Sequence, residues 1–189
     1  MTDEYDKETA KLNEEYRTKF AKPLKEYETN ELMKALTHAR ASLYYGLAKA
    51  FVDKYGDEAY DVLRQLRRSE GLEAGRAAAE EERERGKEPG LDTIREAYNK
   101  DLWWIKDMSW DIRTPDSWTR REACMMGKAF RELSPKFDPE LKIARIFCSL
   151  DQWFAEGVSP NIKYTRPRWM PEGAPFCELC FTWVKPKVC

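Results

Sequence analysis

The hydrophobic pattern changes period near residue 100, and this constrains the fold more than any other feature of the chain. Before that point apolar residues recur at helical spacing; beyond it they alternate in places as strand residues do. The residue types divide at the same place. All seven tryptophans and all five cysteines (Cys124, Cys148, Cys177, Cys180 and Cys189) follow residue 100, whereas the single histidine, His38, and eight of nine tyrosines precede it. Helices first and an antiparallel sheet with interspersed helices afterwards is an α+β order. The pattern therefore predicts an N-terminal helical layer packed on a sheet-containing layer. The expected division is a charged helical arm over 1–28 and a single domain over 29–189, its helical layer spanning 29–106 and its sheet layer 107–189.

The spacing predicts a helix from a cap at Thr29 or Asn30 to Tyr55, stopped by Gly56, with Leu32, Leu36, Ala39, Leu43, Leu47 and Ala50 as its apolar stripe. A second helix starts at Asp57 and runs to Gly86 through Gly71 and Gly75. Glycine within a helix costs about 1 kcal/mol against alanine, so this pair implies that another helix or a ligand approaches the backbone there. Its acidic and basic end, Glu80 to Arg85, reads as a solvated helix end. Leu91–Lys106 is again helical. Residues 108–113 and 118–124 alternate around the turn Thr114-Pro115-Asp116-Ser117. Helices over 125–133 and 138–156, the second opened by Asp138-Pro139, precede strands over 161–170 and 176–184.

Charge excludes several functions. Lys and Arg number 33 against 34 for Asp and Glu, so the basic excess of a nucleic-acid binder is missing. A mean hydropathy of −0.78 and the lack of a long uncharged apolar run argue against a membrane span. The polar opening Met1-Thr2-Asp3-Glu4 does not resemble a secretory signal, making the cytosol the expected compartment and a disulfide framework a poor reading. A thin apolar face on the arm is compatible with a homodimer. Gly-rich phosphate loops, a G-x-S-x-G elbow and His-Glu-x-x-His are all missing from the sequence.

Within 138–156, Ile143, Phe147, Leu150 and Phe154 form the expected core stripe. Beside them run Ala144, Cys148, Asp151 and Ala155, which put a thiol and a carboxylate on one face with alanines above and below. A carboxylate raises a neighbouring thiol's pKa, so Asp151 suits a general base, a substrate anchor or a histidine orienter better than a thiol activator. His38 is the side chain that titrates near neutral pH and could pair with a cysteine, though a half-buried helix residue is an equal reading. Cys177-Glu178-Leu179-Cys180 looks like a metal knuckle, but residues three apart on a strand face opposite sides, and Cys177 shares its face with Leu179, Phe181 and Trp183. No cofactor is expected. The alternative is a divalent metal gathered by Cys124, Cys148, Cys177 and His38. Arg40, Arg64, Arg67 and Arg68 are candidate anchors for a carboxylate.

In order, the chain carries a histidine-bearing helix ending Tyr55-Gly56-Asp57-Glu58-Ala59, then Gly71 and Gly75, and then Arg121-Glu122-Ala123-Cys124. Cys148-Ser149-Leu150-Asp151, Gly157-Val158-Ser159-Pro160-Asn161 and Gly173-Ala174-Pro175-Phe176-Cys177 follow. This series resembles the L-2-amino-thiazoline-4-carboxylic acid hydrolase family over roughly residues 35–185. The resemblance implies water-driven opening of a small sulfur- and nitrogen-containing ring. It raises Cys148, Asp151 and His38 as catalytic candidates and Cys124 and Cys177 as substrate-binding ones, with Arg40 from the helix arginines as the expected carboxylate anchor. They would meet in a pocket between the helical and sheet layers. In one version Cys148 attacks the amidine-like ring carbon; in another Asp151 activates water directly. The alternatives from other classes are a non-catalytic small-molecule-binding module related to vinyl-reductase-type domains and a Cys/His metal-dependent enzyme.

Overall fold

The computed structural model describes residues 31–101 and 109–184, with side chains from residue 35 onward and excluding 101–110. The charged arm and its caps at Thr29 and Asn30 lie outside the described residues. The chain divides into two units, Met1–Thr37 and His38–Cys189. Of the first, only the opening of helix α1 (Glu31–Tyr55) is described. The second carries the rest of α1, α2 (Glu58–Glu84), α3 (Leu91–Asp101), α4 (Met125–Phe137), α5 (Lys142–Cys148) and α6 (Leu150–Val158). It also carries β1 (Ser109–Thr114), β2 (Ser117–Glu122), β3 (Ile162–Arg168) and β4 (Cys177–Trp183). The four strands form an antiparallel sheet in the order β1-β2-β4-β3. The fold class is α+β, with helices leading. No helix among the described residues is long and apolar enough to cross a membrane.

The helix stops follow the local rules. Gly56 and Gly86 take positive φ values of 69° and 74°, the left-handed conformation that ends a helix cheaply only at glycine. The mid-helix glycines have a different cause. A Cβ at Gly71 would sit 2.7 Å from Cβ of Trp153, and one at Gly157 only 2.5 Å from the carbonyl of Leu72. A Cβ at Gly75 would collide with the Phe154 carbonyl oxygen. Helices α2 and α6 thus touch backbone to backbone, and another helix rather than a ligand accounts for the glycine pair.

Three expectations need correcting. The core face of α1 is Ala41, Tyr45 and Ala48, all buried, whereas Leu43 and Leu47 are 64% and 65% exposed. The aromatic ring of Tyr45 meets Phe130 and Phe137, and that of Tyr44 meets Phe147. Large rings on the α1 face outweigh the leucine count, because the core lies where they can interlock. Secondly, 138–156 is not one helix. Asp138 accepts from the N–H of Ala144 at 3.0 Å, so α5 begins only at Lys142, after Leu141 at φ 58°. Ser149 then bonds back to the carbonyl of Arg145 at 2.7 Å and separates α5 from α6, as back-bonding hydroxyls bend helices. Thirdly, both stripes of this segment line the core: Ile143, Ala144 and Ala155 are buried, while Phe147, Cys148, Leu150, Asp151 and Phe154 are all partly buried.

Strand β2 buries alternate residues: Trp118, Arg120 and Glu122. Trp118 stacks on Phe181 of β4 with ring centres 5.3 Å apart, and Tyr98 of α3 meets both edge-on. The aromatic layer thus ends, on the same strand face, in a buried guanidinium and a buried carboxyl group.

Candidate functional site

The carboxylate of Asp151 is the centre of this polar group. Residue 151 lies in the first turn of α6, whose position against α2 the glycine contacts set. Arg166 Nη2 donates to Asp151 Oδ2 at 2.7 Å and also to the backbone carbonyl of Cys148. Tyr98 donates to Asp151 Oδ1, and Tyr164 reaches Oδ2 at 3.5 Å. Arg166 reaches this point because the β3–β4 register shifts between Thr165 and Arg168. Such a bulge re-aims side chains, and Pro167 is tolerated there because β3 is an edge strand. Burial, with the neighbouring Asp151 charge, raises Tyr98 and Tyr164 well above an ordinary phenol, so both remain donors.

Glu122, on β2, lies within electrostatic reach of Asp151. Its burial, reinforced by repulsion from Asp151, pushes its carboxyl up to about 7 despite the 3.1 Å bond from Arg120 Nε. A buried acid raised this far carries a proton near neutral pH and can release it there.

Three thiols adjoin these acids. Burial pushes Cys148 up to about 12, outweighing the opposing effect of Arg166. Cys124 caps α4 by accepting the N–H of Gly127 at 3.3 Å. The Cys124 thiol donates to Cys177, which also receives the N–H of Met170 at 3.5 Å. This donation holds Cys177 below an ordinary thiol and pushes Cys124 well above one. Cys180 points to the other face of β4, where Thr119 donates to it at 3.6 Å.

The structure therefore brings together Cys124, Cys148, Asp151 and Cys177. It does not bring His38 to them. His38 is 46% exposed on α1, and its Nε2 lies 3.9 Å from Glu132 of α4. Arg40 is exposed on the same helix. Arg67 is spent on Glu70, the carbonyl of Phe147 and the face of the Phe147 ring. Among the described residues, no three His, Cys, Asp or Glu side chains are grouped so as to hold a metal ion. Sequence reasoning missed Tyr98, Arg120, Glu122, Tyr164 and Arg166. A signal existed for two of them: alternation along 118–124 places Arg120 and Glu122 on the face of Trp118, and charges on a tryptophan-bearing strand face are buried charges.

Fold and site together define an α+β protein in which acids, guanidiniums and thiols cluster between α6, β2 and β3. The model of the L-2-amino-thiazoline-4-carboxylic acid hydrolase family matches residues 34–181, and the chain belongs to that family. No curated protein matches the chain.

Proposed function

We propose that this protein is a hydrolase that opens a small heterocycle, of the amino-thiazoline, cyclic amidine or cyclic amide type, at a C–N or C–S bond. The observation that carries the reading is the buried Glu122 within electrostatic reach of Asp151, whose carboxylate is held by Arg166 and Tyr98, within a chain of this family. Asp151 is the anchor. A carboxylate accepts about four hydrogen bonds, so beside its three donors it can take one N–H of a cationic amidine. Glu122 is the proton carrier. It takes a proton from water as the water oxygen bonds to the ring carbon. It returns that proton to the ring nitrogen or sulfur as the ring bond breaks, then takes the hydroxyl proton left on the former water oxygen as the C=O forms and gives it up to solvent; a group titrating near neutral pH serves both directions.

This assignment moves the proton work from His38 to Glu122 and treats Cys148 as part of the wall. A thiol pushed up to about 12 supplies little thiolate at neutral pH. The test is mass-spectrometric turnover of 2-amino-thiazoline-4-carboxylate by the purified full chain and by Glu122→Gln and Cys148→Ala. A carbamoyl-cysteine product, lost in Glu122→Gln and kept in Cys148→Ala, is the expected result. Loss of product only in Cys148→Ala would restore the covalent route. Tight binding without product would make the protein a binding module.

A further inference from the structure

Arg120 is one of the most deeply buried side chains described, at 1% exposure, and its guanidinium is only partly answered. Nε donates to Glu122 at 3.1 Å, and Nη1 reaches Asn99 Oδ1 at a long 3.4 Å. Nη2 is buried with no hydrogen-bond partner among the described residues. A buried charged donor left without an acceptor is strongly unfavourable, and an apolar residue would fill the same space without that penalty. The poorly satisfied part is the Nη1/Nη2 edge, which presents two parallel N–H groups at the spacing of the two oxygens of a carboxylate.

We propose that this edge of Arg120 receives the carboxylate of the ring-bearing substrate and selects acidic over neutral heterocycles, an assignment that rests on the hydrolase reading above. Three observations favour Arg120 over the other arginines. Arg166 already spends Nη2 on Asp151 and on the carbonyl of Cys148. Arg40 stands exposed on α1. Tyr98 ties Arg120 to the site, since its ring lies 5.7 Å from the Arg120 guanidinium while its hydroxyl holds Asp151.

The test separates binding from turnover by using a ring that water does not open. Thiophene-2-carboxylate and its neutral carboxamide are titrated calorimetrically into the full-length protein, into Arg120→Gln and into Arg120→Lys, with circular dichroism as the check on folding. Wild type is expected to prefer the carboxylate by about 10- to 100-fold, the worth of a charge-assisted hydrogen-bonded pair. That preference should vanish in Arg120→Gln. In Arg120→Lys, which keeps the charge but loses the two-pronged edge, it should fall to a few-fold. A folded Arg120→Gln or Arg120→Lys protein that keeps the full preference overturns the proposal, as does a wild type that binds neither probe. If Arg120→Gln does not fold, the lysine variant decides alone. An Arg120-dependent preference in a protein that turns over no thiazoline would leave the anion site standing and remove the hydrolase reading. Turnover with a preference indifferent to Arg120 would do the reverse.

Discussion

Two parts of this molecule are equally rich in charge and have opposite characters. At the end of α2, Arg85 pairs with Glu81 and with Glu82 at 3.0 Å, and Lys100 meets Glu81 at 3.0 Å. Lys87 stands 3.8 Å from Glu82 and 3.9 Å from Glu96. Apart from Glu82, whose side chain is buried, these groups are solvated, and such pairs contribute little. In the interior, Arg120, Glu122, Asp151 and Arg166 are the same residue types. There burial pushes an acid up to about 7 and leaves a guanidinium nitrogen without an acceptor among the described residues. The comparison teaches that residue type alone does not mark a site. What marks it is the desolvation of groups that a protein built for stability alone would have left in water.

The largest effect that would break this comparison is on turnover. Glu122→Gln should lower kcat/KM by about 10²–10⁴-fold, the range for loss of a positioned proton carrier. Glu81→Gln, at the α2 end, should leave turnover and the unfolding midpoint unchanged. Equal losses from the two substitutions would erase the distinction between the regions.

Next in size is the support for Asp151. Gly75→Ala drives a Cβ into the carbonyl of Phe154 and should cost about 3 kcal/mol, at the upper end of ordinary overpacking. Gly46→Ala, at a helix position with open space around it, should instead stabilise by about 0.5–1 kcal/mol. Urea unfolding of both variants measures the contrast. A tolerated alanine at 75 would mean that α6 can shift away from α2 without harm, and that the glycine contact does not set the place of Asp151.

The third is a pH dependence confined to the interior. The native state holds the Glu122 proton up to about 7, whereas the unfolded chain releases it near 4.5. Glu122 therefore contributes fully to stability below about pH 4.5, and the contribution is lost as pH rises through 7. The difference is about 3 kcal/mol from the linkage relation. Between pH 5 and pH 8, wild type should lose more stability than Glu122→Gln by up to that amount. The kcat/KM profile should also inflect near 7 in wild type and lose that inflection in the variant. An identical pH dependence in both proteins would place Glu122 in water and return it to the class of the α2 carboxylates.

The smallest expected change is at His38. Removing a half-exposed imidazole 3.9 Å from Glu132 should leave turnover within about twofold, since exposed pairs contribute little. A hundredfold loss in His38→Ala would bring the histidine back into the site.

Much of the architecture was legible from local rules. The glycine stops at 56 and 86, the Thr114–Ser117 turn and the strand periods around it depend on backbone conformation and alternation within a few residues. The glycine pair at 71 and 75 announced a close approach, and the order of short motifs pointed to the family. Part of the site was legible too: the spacing of Cys148 and Asp151 puts them on one face, and they stay close because the break at Ser149 is short. What the sequence did not reveal depends on contacts between distant segments. The leucine stripe of α1 is as periodic as the buried aromatic face, and only the rings of Phe130, Phe137 and Phe147 decide which of them is covered. Tyr98, Glu122 and Arg166 come from a helix and two strands that do not pair with each other, and only their common approach to Asp151 turns them into a site. The raised acid and the unanswered guanidinium edge are consequences of removing water, which depends on what packs around a residue in space and not on its neighbours in the chain.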